Sequence, residues 1–248
     1  MFRAFGLSDK GRIRLSNEDS FAIREALGLV VIADGMGGHK AGEVASCMAV
    51  DAVVEYFSSE TNEWPFGFDP ALSDDGNRMR TAILLANAAI LESSVSSEDL
   101  AGMGTTLVAA RVSHDRLVCG HVGDSRLYLL STGGLRQMTA DDSWTATMLA
   151  GDPSANAALL RHHPMRHALT NVVGARTRTD VHVVEADVQS GDAILMTTDG
   201  VHEVVDDRRL EQLMRRSLDP EEMANAIVST ALARGTRDNL TAVVAIVP

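Results

Sequence analysis

Only two cysteines, Cys47 and Cys119, occur in 248 residues. Two thiols exclude a disulfide framework and a zinc site built from four cysteines, and they suit a reducing compartment. The chain also lacks any apolar run near the roughly 18 residues that a membrane span needs, and "MFRAFGLSDKGR" carries no long apolar core of the secretory kind. A cytoplasmic protein with no membrane span is the expectation. Positive charge is short as well, with 22 Lys and Arg against 34 Asp and Glu and a formal net charge of −12. That balance argues against gripping a phosphate backbone, so nucleic acid is not an expected partner, and it suits a chain that gathers carboxylates around cations. Internal repeats and low-complexity tracts are missing too. What is present is 45% hydrophobic residues, enough for one sizeable core, so a single domain over residues 1–248 is expected.

The apolar segments show both periods. Strands are predicted at 2–8, 21–24, 27–33, 105–112, 117–122, 127–130, 181–186, 192–197 and 240–247, most of them rich in Val, Leu and Ile. Helices are predicted at 42–57, 77–92, 207–216 and 220–234. The last has written boundaries, with Asp219 as N-cap, Pro220 at the first position, two glutamates in the first turn and Gly235 beyond the end. Strands arrive in runs ("TTLVAARV", "LVCGHV", "RLYLL") rather than in strict alternation with helices, which favours an α+β sandwich over a doubly wound parallel sheet. Residues 58–76 read as a long loop and 139–179 as a mostly short-helical excursion between strands.

Chemistry concentrates where strands stop. "GLVVIADGMGGHKAGE", residues 28–43, runs an apolar strand into Asp34 and then through four glycines within eight residues. "DAILMTTDG" ends a second strand at Asp199, "LVCGHVGDS" ends a third at Asp124, and Asp238 in "GTRDNLTAVVAIVP" stands just before the final strand. A single Asp-Gly is a hairpin turn signal. Several aspartates at strand ends that converge on one rim are a different matter, because such carboxylates repel one another unless cations or protons neutralise them. Oxygen donors without His or Cys point to Mg²⁺ or Mn²⁺, and pairs of such ions roughly 3.5–4 Å apart serve in-line phosphoryl displacement. "RIRLSNEDS" adds Arg14, Glu18 and Asp19. Alone it would be a solvated loop; beside the carboxylates, the arginine fork suits a phosphate and the two acids could orient waters.

Other phosphoryl-handling chemistries do not fit. Cys119 meets its arginine one residue too late for Cys-x5-Arg, no Asp-x-Asp-x-Thr occurs, "GMGGHKAG" lacks the Gly-Lys-Ser/Thr of Walker A, and neither "GMGGHK" nor "GMGTTL" completes Gly-x-Gly-x-x-Gly. The histidines have no His-Glu-x-x-His spacing, and "RHHPMRH" reads as a loop feature rather than a zinc site.

In order and spacing, "RLSNEDS", "VIADGMGGHKAGE", "GMGTTLVAA", "GHVGDSRLYLL", "HPMRHALTNVVG", "TTDGV" and "GTRDNLTAVV" resemble the metal-dependent protein phosphatases, the type 2C serine/threonine phosphatases, in their bacterial branch. The resemblance spans nearly the whole chain. It implies a central antiparallel β-sandwich flanked by helix pairs, a four-layer αββα arrangement, with metals in a channel at one end and a flap near 139–179. It further implies two tightly bound Mn²⁺ or Mg²⁺ ions and a weaker third: Asp34 bridges two, Asp199 and Asp238 complete one, the Gly35 carbonyl binds the other, and Asp124 with Asp199 holds the third. Glu18 and Asp19 would hydrogen-bond the metal waters and Arg14 would grip the substrate phosphate. The implied activity is hydrolysis of phosphoserine and phosphothreonine on proteins by a metal-bridging hydroxide, opposing a serine/threonine kinase. A catalytically silent module of the same fold is the alternative.

Two residues depart from that pattern. Met36 stands where some relatives have a histidine thought to act as general acid, so the leaving alkoxide needs another proton donor, for which His39 or a water near Asp124 is available. Asp142 gives Asp-Asp-Ser where Asp-His-Ser is common, in the flap that influences substrate choice. Trp64, Phe66 and Phe68 are expected to fold back onto helices, and Met148, Leu149, Leu159 and Leu160 to pack the flap's helices.

Overall fold

Eleven strands form in the computed structural model, which describes residues 2–37, 41–59, 63–152, 160 and 163–248. They are β1 (Arg3–Asp9), β2 (Asp19–Arg24), β3 (Leu29–Met36), β4 (Gly104–Thr105), β5 (Leu107–Ser113), β6 (Arg116–Val122), β7 (Arg126–Ser131), β8 (Gly134–Gln137), β9 (His182–Asp187), β10 (Ala193–Thr197) and β11 (Leu240–Ile246). The helices lying wholly among the described residues are α1 (Ala41–Ser58), α2 (Asp74–Ser96), α3 (Trp144–Gly151), α4 (Asp199–His202), α5 (Asp207–Met214) and α6 (Pro220–Ala233). One sheet has the order β1-β11-β10-β7-β8 and the other β2-β3-β5-β6-β9, with β4 paired to β3. Every pairing is antiparallel.

Strand parity builds the layers. Leu29, Val31 and Ala33 of β3 face α1 and α2, while Val30 and Ile32 face the other sheet. In β11, Leu240, Ala242 and Val244 lie under α5 and α6, and Val243 and Ala245 point inward, as does Val247 just beyond the strand. Both sheets are thus buried on two faces, which explains why their strands read as continuous apolar runs rather than as alternating ones. The result is helix pair, sheet, sheet, helix pair: the runs of strands favoured the sandwich, and the family resemblance implied the flanking helix pairs.

Several boundaries differ for local reasons. α2 starts at Asp74 rather than 77 because Ser73 caps it, accepting from the Gly76 N–H at 3.0 Å, so the expected long loop is shorter. β8 was not foreseen; its four residues "GLRQ" are too few and too polar to show a period. Phe66 and Phe68 do not fold back: they are exposed, with Phe68 edge-on to the half-buried Trp64. In α3 Met148 is exposed rather than packed and Leu149 is half-buried; Leu160 is half-buried too, and Leu159 lies outside the described residues.

Candidate active site

Parity also decides where the first carboxylate goes. Val30, Ile32 and Asp34 share one face of β3, so Asp34 continues the inter-sheet row at the rim where the strand ends. Asp19 of β2 is paired directly opposite Asp34. Like charges face to face across a ladder cost stability. The Asp34 backbone leaves its side chain no freedom to retreat: its N–H donates to Thr106 Oγ1 at 3.0 Å, and its carbonyl accepts from the Thr106 N–H and from Thr105 Oγ1.

The opposite sheet delivers the rest to the same rim. Asp199 opens α4 two residues beyond β10, and Asp238 stands two residues before β11. Thr198 and Thr241 fix Asp19, donating to its Oδ2 at 2.9 and 2.6 Å, while Asp19 Oδ1 and Asp199 Oδ1 are buried with no hydrogen-bond partner among the described residues. Burial, then Asp19, Asp199, Asp124 and Asp238 in that order, hold the Asp34 carboxyl well above the usual carboxylate range. Burial, then Asp124, Glu203, Asp238 and Asp19, do the same to Asp199. Burial pushes Asp124 up to about 7, and burial opposed by the two threonines takes Asp19 to about 6. Burial raises Glu18 as well.

Gly35 is not a turn glycine. A Cβ there would clash with the Gly42 carbonyl oxygen of α1 and the Glu18 carbonyl oxygen, and one on Gly42 would clash with the Glu18 carboxylate. The glycines are required by close approach of three backbones, which brings the Gly35 peptide to the cluster. Asn239 clips the connection between β1 and β2, donating from Nδ2 to the carbonyls of Lys10 and Ser16, both at 2.9 Å, and accepting from the Glu18 N–H. That connection carries Arg14, whose Nη2 pairs with Asp238 Oδ2 at 2.6 Å.

All eight expected residues, Arg14, Glu18, Asp19, Asp34, Gly35, Asp124, Asp199 and Asp238, therefore gather at one end of the sandwich. A family model described as protein phosphatase 2C matches residues 12–235. The chain belongs to the protein phosphatase 2C family. The serine/threonine phosphatase stp of Listeria monocytogenes is 34% identical over 238 residues, covering 94% of this chain and 91% of that protein. PstP of Mycobacterium tuberculosis is 35% identical over 241 residues, 96% of this chain and 43% of that protein. The solved catalytic domain of PstP in complex with two manganese ions superposes with a TM-score of 0.83 at 32% identity, covering 99% of this chain and 97% of that one. Stp1 from Staphylococcus aureus superposes at 0.88 with 28% identity, over 100% and 96% of the chains.

In this protein phosphatase 2C chain the flap docks on the site through groups that sequence reading missed. His167 Nδ1 meets Glu203 Oε1 at 2.5 Å, and His167, Asp199 and Glu203 offer ligand atoms all within 4.8 Å of one another, a group able to hold a metal ion. The signal was available in "TDGVHE", since residues four apart share a helix face and Asp199 opens a helix. Asp142, the departure from Asp-His-Ser, ties the flap base together: it accepts from the Gly123 N–H, Asn171 Nδ2 and His182 Nε2 at 3.0, 2.8 and 3.0 Å. Met36 pairs with Gly104 at the end of β3, and His39 lies outside the described residues.

Proposed function

We propose that this chain is a metal-dependent serine/threonine protein phosphatase that hydrolyses phosphoserine and phosphothreonine on protein substrates, opposing a serine/threonine kinase in the cytoplasm. One observation carries the reading: carboxylates from both sheets are forced together in a half-buried rim where they repel one another. A fold keeps such a cluster when cations complete it. The fit is supported by the all-oxygen donor set, by the partnerless buried oxygens on Asp19 and Asp199, and by the glycine contact that admits the Gly35 carbonyl. The two free thiols, and the lack of a helix long and apolar enough to cross a membrane among the described residues, support the cytoplasmic setting.

In this reading Asp34, the Gly35 carbonyl, Asp199 and Asp238 would hold two Mn²⁺ or Mg²⁺ ions, and Asp124 with Asp199 a weaker third. Bound there, the cations supply the Lewis acidity that lets water attack phosphorus near neutral pH. Arg14 binds the phosphate oxygens, for which a half-exposed planar fork is suited. Glu18 and Asp19 accept hydrogen bonds from water and orient it, and Thr198 and Thr241 favour the charged form of Asp19 that can do so. Met36 has no proton to give the departing alkoxide, so Asp124 positions the water that gives it.

The test is hydrolysis of p-nitrophenyl phosphate with Mn²⁺ and then with chelator. Turnover only with metal supports the reading, and none with any divalent ion would leave a silent module. In Asp124→Ala, phosphopeptide turnover should fall more than that of p-nitrophenyl phosphate, whose leaving group needs no proton. Equal losses count against proton delivery there.

A further inference from the structure

The connection between β1 and β2 leaves four consecutive residues, Arg12, Ile13, Arg14 and Leu15, exposed. Ile13 is 59% and Leu15 97% exposed, on either side of the arginine assigned to the substrate phosphate. Aliphatic side chains scattered singly over a surface need no explanation. These two share one turn with Arg14, and the turn is not slack. Asn239 holds the carbonyls at Lys10 and Ser16, the Gly11 N–H donates to Asp9 Oδ1 at 2.7 Å, and Gly11, at φ 74°, packs so closely that a Cβ would clash with the Asp238 carbonyl oxygen. The fold thus fixes two apolar side chains in water at the mouth of its site and covers neither. Arg12 sets a second guanidinium in the same turn as Arg14, whose own charge is paired with Asp238.

We propose that Ile13 and Leu15 are specificity-determining residues that dock apolar side chains flanking the phosphorylated residue, so that the enzyme prefers phosphoserine or phosphothreonine with aliphatic or aromatic neighbours. The proposal rests on Arg14 holding the substrate phosphate. Neighbours within two residues are meant, because an extended peptide advances about 3.3 Å per residue and the two side chains lie one residue from Arg14. Covering part of an aliphatic side chain on each partner is expected to favour such a segment by about 3- to 30-fold.

Two phosphothreonine peptides test this, identical except for Leu or Ser at the positions one and two residues either side of the phosphothreonine. Their non-hydrolysable phosphonate versions give dissociation constants by fluorescence anisotropy with Mn²⁺ present, and the phosphopeptides themselves give kcat/KM. The wild-type chain should bind and turn over the leucine peptide better, with the difference in KM rather than kcat. In the double variant Ile13→Ser, Leu15→Ser, which alters only exposed side chains, the ratio should fall to within about twofold of unity. A ratio between two peptides in one variant cancels any loss common to both. No preference in the wild type, or the same preference in the variant, overturns the proposal. Self-association of the wild type that disappears in the variant, with the ratio unchanged, would assign the patch to a second copy instead. Failure of the phosphatase reading is a separate result, visible as no turnover of p-nitrophenyl phosphate.

Discussion

Asp34 is pinned through its backbone to Thr105 and Thr106 while its side chain is repelled from several directions. Asp34→Asn should therefore do two opposite things. Turnover should drop by more than the ~100-fold that losing a supporting residue costs. In chelator near neutral pH, the variant should resist urea better than the wild type by on the order of 1–3 kcal/mol, because the carboxyl whose ionisation the folded state opposes has gone. A variant no more stable in chelator would mean that the carboxylates do not strain the fold. Thr241→Val tests the support of Asp19. Removing the donor to its Oδ2 should destabilise the fold by about 1–3 kcal/mol and weaken Mn²⁺ binding or kcat roughly 10- to 100-fold, read by calorimetric titration and steady-state kinetics. Wild-type metal affinity and kcat together would show Asp19 to be idle. Neither threonine could be picked from the text as anything but strand-forming. Their role depends on parity in β11 for Thr241 and on the turn from β10 into α4 for Thr198.

At the scale of elements, the meeting of β3, α1 and the connection that carries Glu18 hangs on two glycines. Gly35→Ala forces the start of α1 away from the end of β3 and should cost about 1–3 kcal/mol or more, with a matching loss of metal affinity since the Gly35 carbonyl moves too. A thermal melt and a Mn²⁺ titration of the same variant check both; unchanged values would show that the contact yields easily. The text "DGMGGHKAGE" marked the place, and at Gly35 the packing demands close approach, to the Gly42 and Glu18 carbonyls. Element ends with chemical punctuation were legible: α6 runs Pro220–Ala233 against an expectation of 220–234. β8 carried no such punctuation that a four-residue strand could show, and α2 begins early because of a serine cap inside what read as loop.

For the whole molecule, the acid cluster couples folding to pH and metal. A carboxyl raised in the folded state keeps a proton that the unfolded chain releases near pH 4. Stability from Asp19 and Asp124 is therefore fully present below that pH and is lost as pH rises through about 6 and about 7. Buried His202 and His121, whose pKa values are lowered, first by burial, act oppositely on acidification. They act in metal-free and metal-loaded protein alike, so the informative quantity is the difference in Tm between the two. That difference should widen from pH 6 to pH 8, where the cluster is charged and cations relieve it; saturation at 100 times Kd is worth about 2.7 kcal/mol. A difference that is flat or shrinks with rising pH would contradict the cluster's role.

The sequence by itself determined which residues are inside and which chemistry is available. Strands arriving in runs favoured an α+β sandwich, and acidic residues at strand ends pointed to an oxygen-lined cation site, because period and residue type are local properties that a one-dimensional reading can weigh. It could not determine what those acids lean on. Asp19 opposite Asp34 follows from the register of β2 on β3, the two threonines from the opposite sheet, Asn239 from the far end of the chain, and the His167–Glu203 contact from where the flap returns. These partners lie up to 229 residues apart in the chain. Only closure of the two sheets onto one core sets their distances, and with them the burial that raises Asp19, Asp34, Asp124 and Asp199.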